Sequence, residues 1–422
     1  VHPDEGYPSR REHEIRQVLA DFREELHDWG QAATTGDLEK HGSQIHSVTR
    51  VLLSALDQVD ALPAAQKAER SADILLDLHH LWDFFRGKLM MRSLPSQRIV
   101  LDAADELAWS LYQPLRLAAT SGTPAWEPPL TFFGRHPVPF AMPRGSAFEK
   151  LLPFGKQRTR DGQAVAQHLP FPLIGIPWSS GRHLPALLAV AHETGHHIED
   201  DLRLTASLTA HLRGHAGLEP ASLVRWERWL GEAFADICAT LACGSAYLWA
   251  LTDAMTAAAS QPLPDHAYPP PRLRALICRA ALPGSAQESL PPLPGEPHPT
   301  DDEAQAVFAA LAEQGIEELG GRSLRSLLGL RRPELVPVAA NRLLHSLRSE
   351  RRDVEGVLAA ATLAFVRDPS GFVGGTVGLT ALDEVLRLRP KGPRAVPAEE
   401  TGRQERDRAS GEGLFALLLS RH

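Results

Sequence analysis

Between Ala189 and Asp201 the chain reads AVAHETGHHIEDD, with three histidines and four carboxylates in thirteen residues. The apolar run LLAVA (Leu187–Ala191) leads into this stretch and predicts that it lies on a helix. Residues four apart in a helix stand one turn apart on one face. His192 and His196 therefore point the same way and can offer two imidazole nitrogens to one Zn²⁺ ion, at about 2.0–2.1 Å. Glu193 projects beside that pair, placed to take a proton from an activated water and not to bind the ion. Gly195 has no side chain, which lets another segment approach closely at about 1 kcal/mol of lost helix propensity. Two histidines do not close a zinc site, so a further ligand is expected elsewhere in the chain.

One way of closing the site is excluded by spacing. The metzincin pattern requires Gly three and His six residues after the second histidine, and those positions are Glu199 and Leu202. The better source is WLGEAFADICATLA (Trp229–Ala242), where Glu232 lies 36 residues after His196, far enough for the chain to turn and return. Asp236, four residues on, shares its face. Glu232 can complete the ligand set, while Asp236 accepts the outer N–H of a ligand histidine and fixes its tautomer. Two carboxylates on an otherwise apolar helix need a partner, and a cation supplies one.

His192-Glu193-Thr194-Gly195-His196 followed by Glu232-Ala233-Phe234-Ala235-Asp236 resembles the gluzincin zinc metallopeptidases. In their CAAX-prenyl-protease and HtpX-like branch the glutamate helix reads Glu-x-x-Ala-Asp. A third element of that branch, His-Pro-x-x-x-x-Arg-Ile/Leu, is similar to HAYPPPRLRAL, with His266, Arg272 and Leu273 in register and Ala267 where the pattern has proline. The resemblance runs from about Leu173 to Leu282, roughly a quarter of the chain. It implies that His192, His196 and Glu232 bind zinc and that Glu193 is the general base. It further implies that His266, Tyr268 or Arg272 steadies the oxyanion as water attacks a carbonyl. The reaction implied is hydrolysis of peptide bonds in a protein or peptide substrate. The branch's membrane helices are not evident here, so its catalytic logic carries over and its substrates do not. The alternative is a zinc-containing interaction or sensor protein that uses a zincin scaffold without proteolysis; Glu193 favours the enzyme, because a structural zinc site has no need of a base. His197, His211 and His215 are expected as surface histidines, the zinc sphere being filled by three protein ligands and water.

The bulk numbers fit this reading. Across 422 residues, 43% hydrophobic and 23% charged, the formal charge is -8, which argues against a nucleic-acid or anionic-membrane partner. The Arg-bearing stretch RSLRSLLGLRR (Arg322–Arg332) is expected as a solvated face. Cys238, Cys243 and Cys278 form no Cys-x-x-Cys pair, so neither a thiolate zinc site nor a disulfide scaffold is indicated and buried thiols in a reducing interior are expected. VHPDEGYPSRREHEIRQ, at the start, lacks the apolar core of a secretory signal. The longest nearly uncharged run, ICATLACGSAYLWAL (Ile237–Leu251), has 15 residues, short of the ~20 that span a bilayer. A cytoplasmic location without membrane association is the expectation.

The elements that must position these residues are mainly α with a small β-sheet: a zincin-like catalytic core flanked by helical regions. Apolar spacing by three and four predicts helices over Arg11–Trp29, Ser43–Val59, Ala68–Met91 and Ser96–Ala119, an antiparallel N-terminal region over 1–120. Proline and glycine then recur, opening a core over 121–285. HLPFPLIGIPW (His168–Trp178) reads as a strand at a sheet edge, able to pair with an extended peptide. The motif helix is predicted to carry Pro185 in its first turn, and one further helix to run from about Ser222 to Thr256. A Pro-rich linker (286–300), a helical region (301–390), a mobile charged segment (391–413) and a terminal helix (414–422) complete the expected order.

Overall fold

The spacing by three and four gives α1 (Tyr7–Ala32), α2 (Gly42–Asp60), α3 (Ala64–Met90) and α4 (Pro95–Ala118) in a computed structural model. It describes residues 7–34, 36–120, 127–143, 170–258, 268–283, 290–297, 299–394 and 400–420. Ile15, Leu19, Phe22 and Leu26 of α1 pack with Ile45, Leu52 and Leu56 of α2 and with Leu78, Trp82 and Phe85 of α3 in one apolar core. The inward face of α4 (Leu101, Ala104, Leu107, Leu111) belongs to a second core, shared with the helices that carry the motifs. Burial of these stripes, at roughly 25 cal/mol per Å², is what holds the helices in place.

Three short strands form one sheet in the order β1–β3–β2. They are β1 (Leu130–Gly134), β2 (Phe140–Met142) and β3 (Leu173–Pro177). β1 runs parallel to β3, pairing Leu130 with Leu173, and β2 runs antiparallel, pairing Met142 with Leu173. The expected edge strand is therefore the central one. All five β3 residues are buried, as a strand covered on both faces should be. Its partners come from the Pro/Gly-bearing stretch, whose short segments show no alternation of their own.

Pro185 sits in a 3-10 turn (Leu184–Leu188) that runs into α5 (Ala189–Asp201), so the proline precedes the motif helix. After α6 (Thr205–His215), the helix expected over Ser222–Thr256 is three: α7 (Pro220–Arg228), α8 (Leu230–Cys243) and α9 (Ser245–Ala258). The break between α8 and α9 falls at Gly244, whose φ of 63° suits a residue without Cβ. α10 (Pro271–Ala281) follows. Part of the expected linker is fastened to it, because Arg272 Nη1 donates to Gly295 O at 3.0 Å and Arg279 donates to Pro291 O.

The C-terminal helices are α11 (Glu303–Ala312), α12 (Leu324–Leu328), α13 (Val336–Leu344), α14 (Val354–Arg367), α15 (Pro369–Gly374), α16 (Val377–Leu388) and α17 (Glu400–Leu419). α17 corrects the expected mobile segment: residues 400–413 are its first turns and lie against α2. Three of its charged residues have partners outside the helix. Arg403 and Arg406 meet the buried Glu127, and Asp407 meets Arg50 and Ser47. Among the described residues, no helix is long and apolar enough to cross a membrane.

Candidate metal centre

Helices α5 and α8 cross at Gly195. A Cβ there would stand 2.7 Å from Ala235 Cα, closer than real side chains approach, so glycine is required for the contact. This close crossing brings the two sequence motifs together. His192 Nε2 and His196 Nε2 are 3.2 Å apart; Glu232 sets Oε2 3.5 Å from the first and Oε1 3.5 Å from the second, and one ligand atom from each residue lies within 4.8 Å of the others. Ligands about 2.0–2.1 Å from a tetrahedral zinc would be ~3.3 Å from one another, a separation the two imidazole nitrogens have, with the carboxylate within reach of both. Glu232 Oε2 is buried and accepts no hydrogen bond. His192 Nε2 and Arg274 Nη2 each stand 3.5 Å from that oxygen, too far to satisfy it, and a cation bound between the imidazoles would.

Behind this trio Asp236 is wholly buried and lies 2.9 Å from His192 Nδ1. That contact leaves Nε2 as the outward nitrogen. Tyr247 O–H donates to Asp236 Oδ1 at 2.6 Å, and Arg274 grips both oxygens at 2.6 and 2.8 Å. Burial alone would raise the Asp236 carboxyl, but Arg274 and His192 outweigh it and hold it well below the usual range. Burial would likewise lower His192, yet its contacts with Asp236 and Glu232 push it up to about 10. His196 has burial and the neighbouring His192 charge against it and falls to about 3.

Glu193 is only 8% exposed. Burial, with the Glu232 charge nearby, raises its carboxyl, although the Ala141 N–H of β2 donates to it. Tyr268 is 39% exposed, and its phenol is raised by burial and by the charges of Glu232 and Glu193. Arg272 is not in the site: its Nε binds Asp301 at 2.6 Å. Positions two apart in a helix face about 200° from each other, and Arg274 is the arginine that α10 turns inward. His266 lies outside the described residues.

Arg274 and Tyr247 were not singled out by sequence. Tyr247 did carry a signal, as the one hydroxyl-bearing aromatic in an apolar run. His197 is corrected from surface to core: it is buried, with Nε2 3.1 Å from Leu173 O of β3. His211 is half-buried and His215 exposed, both on α6. Cys238, Cys243 and Cys278 are free and buried.

Comparison with protein-family models, with curated proteins and with solved structures finds no match to this chain.

Proposed function

We propose that this chain is a zinc-dependent metallopeptidase of gluzincin type, hydrolysing peptide bonds in a protein or peptide substrate with Glu193 as general base. The observation that carries the reading is the spacing of His192, His196 and Glu232, 3.2–3.5 Å apart, with the Glu193 carboxylate one position from the first ligand. Two imidazoles and one carboxylate suit zinc, and three protein ligands leave the open position that catalytic sites keep. Bound there, zinc would supply Lewis acidity and lower the pKa of a water toward ~7.

The remaining work belongs to side chains. Burial makes Glu193 a stronger base than an exposed glutamate, and it takes the proton from the attacking water. The Ala141 N–H orients that carboxylate. Asp236, held by Arg274 and Tyr247, fixes the His192 ring. Tyr268 supplies an O–H for the oxyanion, a role that Arg272, tied to Asp301, does not fill. Three free buried thiols suit a reducing compartment, and we place the protein in the cytoplasm.

Glu193→Gln is expected to keep bound zinc while peptide hydrolysis falls by about 10²–10⁴-fold, measured by metal content and turnover on one preparation. Full turnover in that variant contradicts the mechanism. A zinc sensor or interaction protein would keep its function in the same variant.

A further inference from the structure

Strand β3 divides its backbone hydrogen bonds between two partners, and this division fixes what the edge beside Glu193 offers. Leu130 N–H donates to Pro172 O at 3.0 Å. In a parallel ladder that bond turns the N–H and C=O of Ile174 toward β1. Leu173 and Gly175 therefore turn theirs toward β2, where they oppose Met142 and Phe140. Ala141, between those two, has its N–H and C=O on the outer side. The Glu193 contact agrees independently, since the Ala141 N–H donates to that carboxylate. Among the described residues no strand pairs this outer edge.

An added strand needs alternating donors and acceptors along such an edge. Two residues to either side of Ala141 stand Pro139 and Pro143, and proline has no N–H. Over 139–143 the edge therefore presents a single donor, Ala141, which Glu193 already engages. Substrate N–H groups would find acceptors here, such as the Ala141 carbonyl, while substrate carbonyls would find no free donor. Prolines at an edge also bar pairing with other chains, by the same loss of donors.

We infer that the site takes short peptides, read over a single peptide unit set against Ala141, and not a long peptide laid down as a fourth strand. This rests on the metallopeptidase reading and narrows its substrate class. The specificity of such a site comes from side-chain contacts close to the cleaved bond.

The test uses full-length, zinc-loaded protein titrated by calorimetry with alanine-based mono-, di-, tetra- and hexapeptide hydroxamates, whose headgroup seeks the ion. Affinity is expected to level off at the dipeptide, changing by less than about threefold beyond it. A rise of about tenfold for each added pair of residues overturns the inference. A double variant, Pro139→Ala with Pro143→Ala, restores two donors and is expected to gain length dependence; an unchanged plateau overturns the role given to the prolines. Failure of every hydroxamate to bind, with zinc present, overturns the metallopeptidase reading itself and is distinct from the other results.

Discussion

Two regions of this molecule bury histidine among carboxylates, and they differ in how the negative charge is met. One is the trio of His192, His196 and Glu232 with Glu193 and Asp236 beside it. The other is a cluster in which His41, Asp102 and Asp105 also place possible ligand atoms within 4.8 Å of one another. In that second cluster each acid has an arginine: Arg92 to Asp105 at 2.5 Å, Arg389 to Asp102 at 2.8 Å and Arg394 to Glu106 at 2.9 Å. Thr131 adds its N–H and hydroxyl to Asp105. At the first site a single arginine, Arg274, serves both Glu232 and Asp236, with His192 against the same two acids and Glu193 beside them without an arginine of its own. Similar ligand lists thus describe different chemistry. Arginines make one cluster a structural knot, and their scarcity at the other supports the divalent cation proposed there.

The largest effect should come from the knot. Arg92→Met leaves Asp105 buried without its guanidinium and is expected to lower unfolding free energy by about 3–5 kcal/mol in denaturant titration. Added zinc should not restore it, whereas rescue by zinc would show that the two clusters differ less than the arginines suggest. Gly195→Ala acts on the candidate metal centre by geometry. Its Cβ would meet Ala235 Cα at 2.7 Å and push α5 from α8. A loss of about 1–3 kcal/mol is expected despite the better helix propensity of alanine, together with weaker zinc binding. Undiminished zinc affinity would mean that the helix crossing does not set the ligand spacing.

Near neutral pH the smallest effect is a pH slope. Burial, reinforced by Arg92, lowers His41 from 6.5 to about 3. Its folded pKa is below the unfolded value, so the unfolded chain takes up the proton first. The stability it contributes is present above pH 6.5 and is lost as pH falls toward about 3. The slope approaches about 1.4 kcal/mol per pH unit for one proton. His41→Gln should flatten the stability curve between those limits; an unaltered curve would remove His41 from the balance.

Much of this was legible in the sequence because periodicity and spacing are local. The four N-terminal helices follow from apolar residues three and four apart, and the glycine in HETGH signalled a close neighbour, which is Ala235. Glu232 and Asp236 were legible as acids on an apolar helix. Which strand takes the middle of the sheet was not legible, since it depends on pairing between segments some 30 residues apart. Arg272 and Arg274 differ by half a turn of helix, and only the packing of α10 decides which faces in. The charged residues of α17 read as a solvated tail because their partners, Glu127 and the α2 residues Ser47 and Arg50, lie about 280–360 positions away.

The most direct measurement is elemental analysis of the purified full chain beside Glu232→Ala and Asp102→Asn variants. The expected result is one zinc per chain in the parent protein, its loss in Glu232→Ala and its full retention in Asp102→Asn. A parent protein that binds no zinc when supplied with it, or zinc that survives Glu232→Ala and leaves with Asp102, would contradict the proposed metal centre.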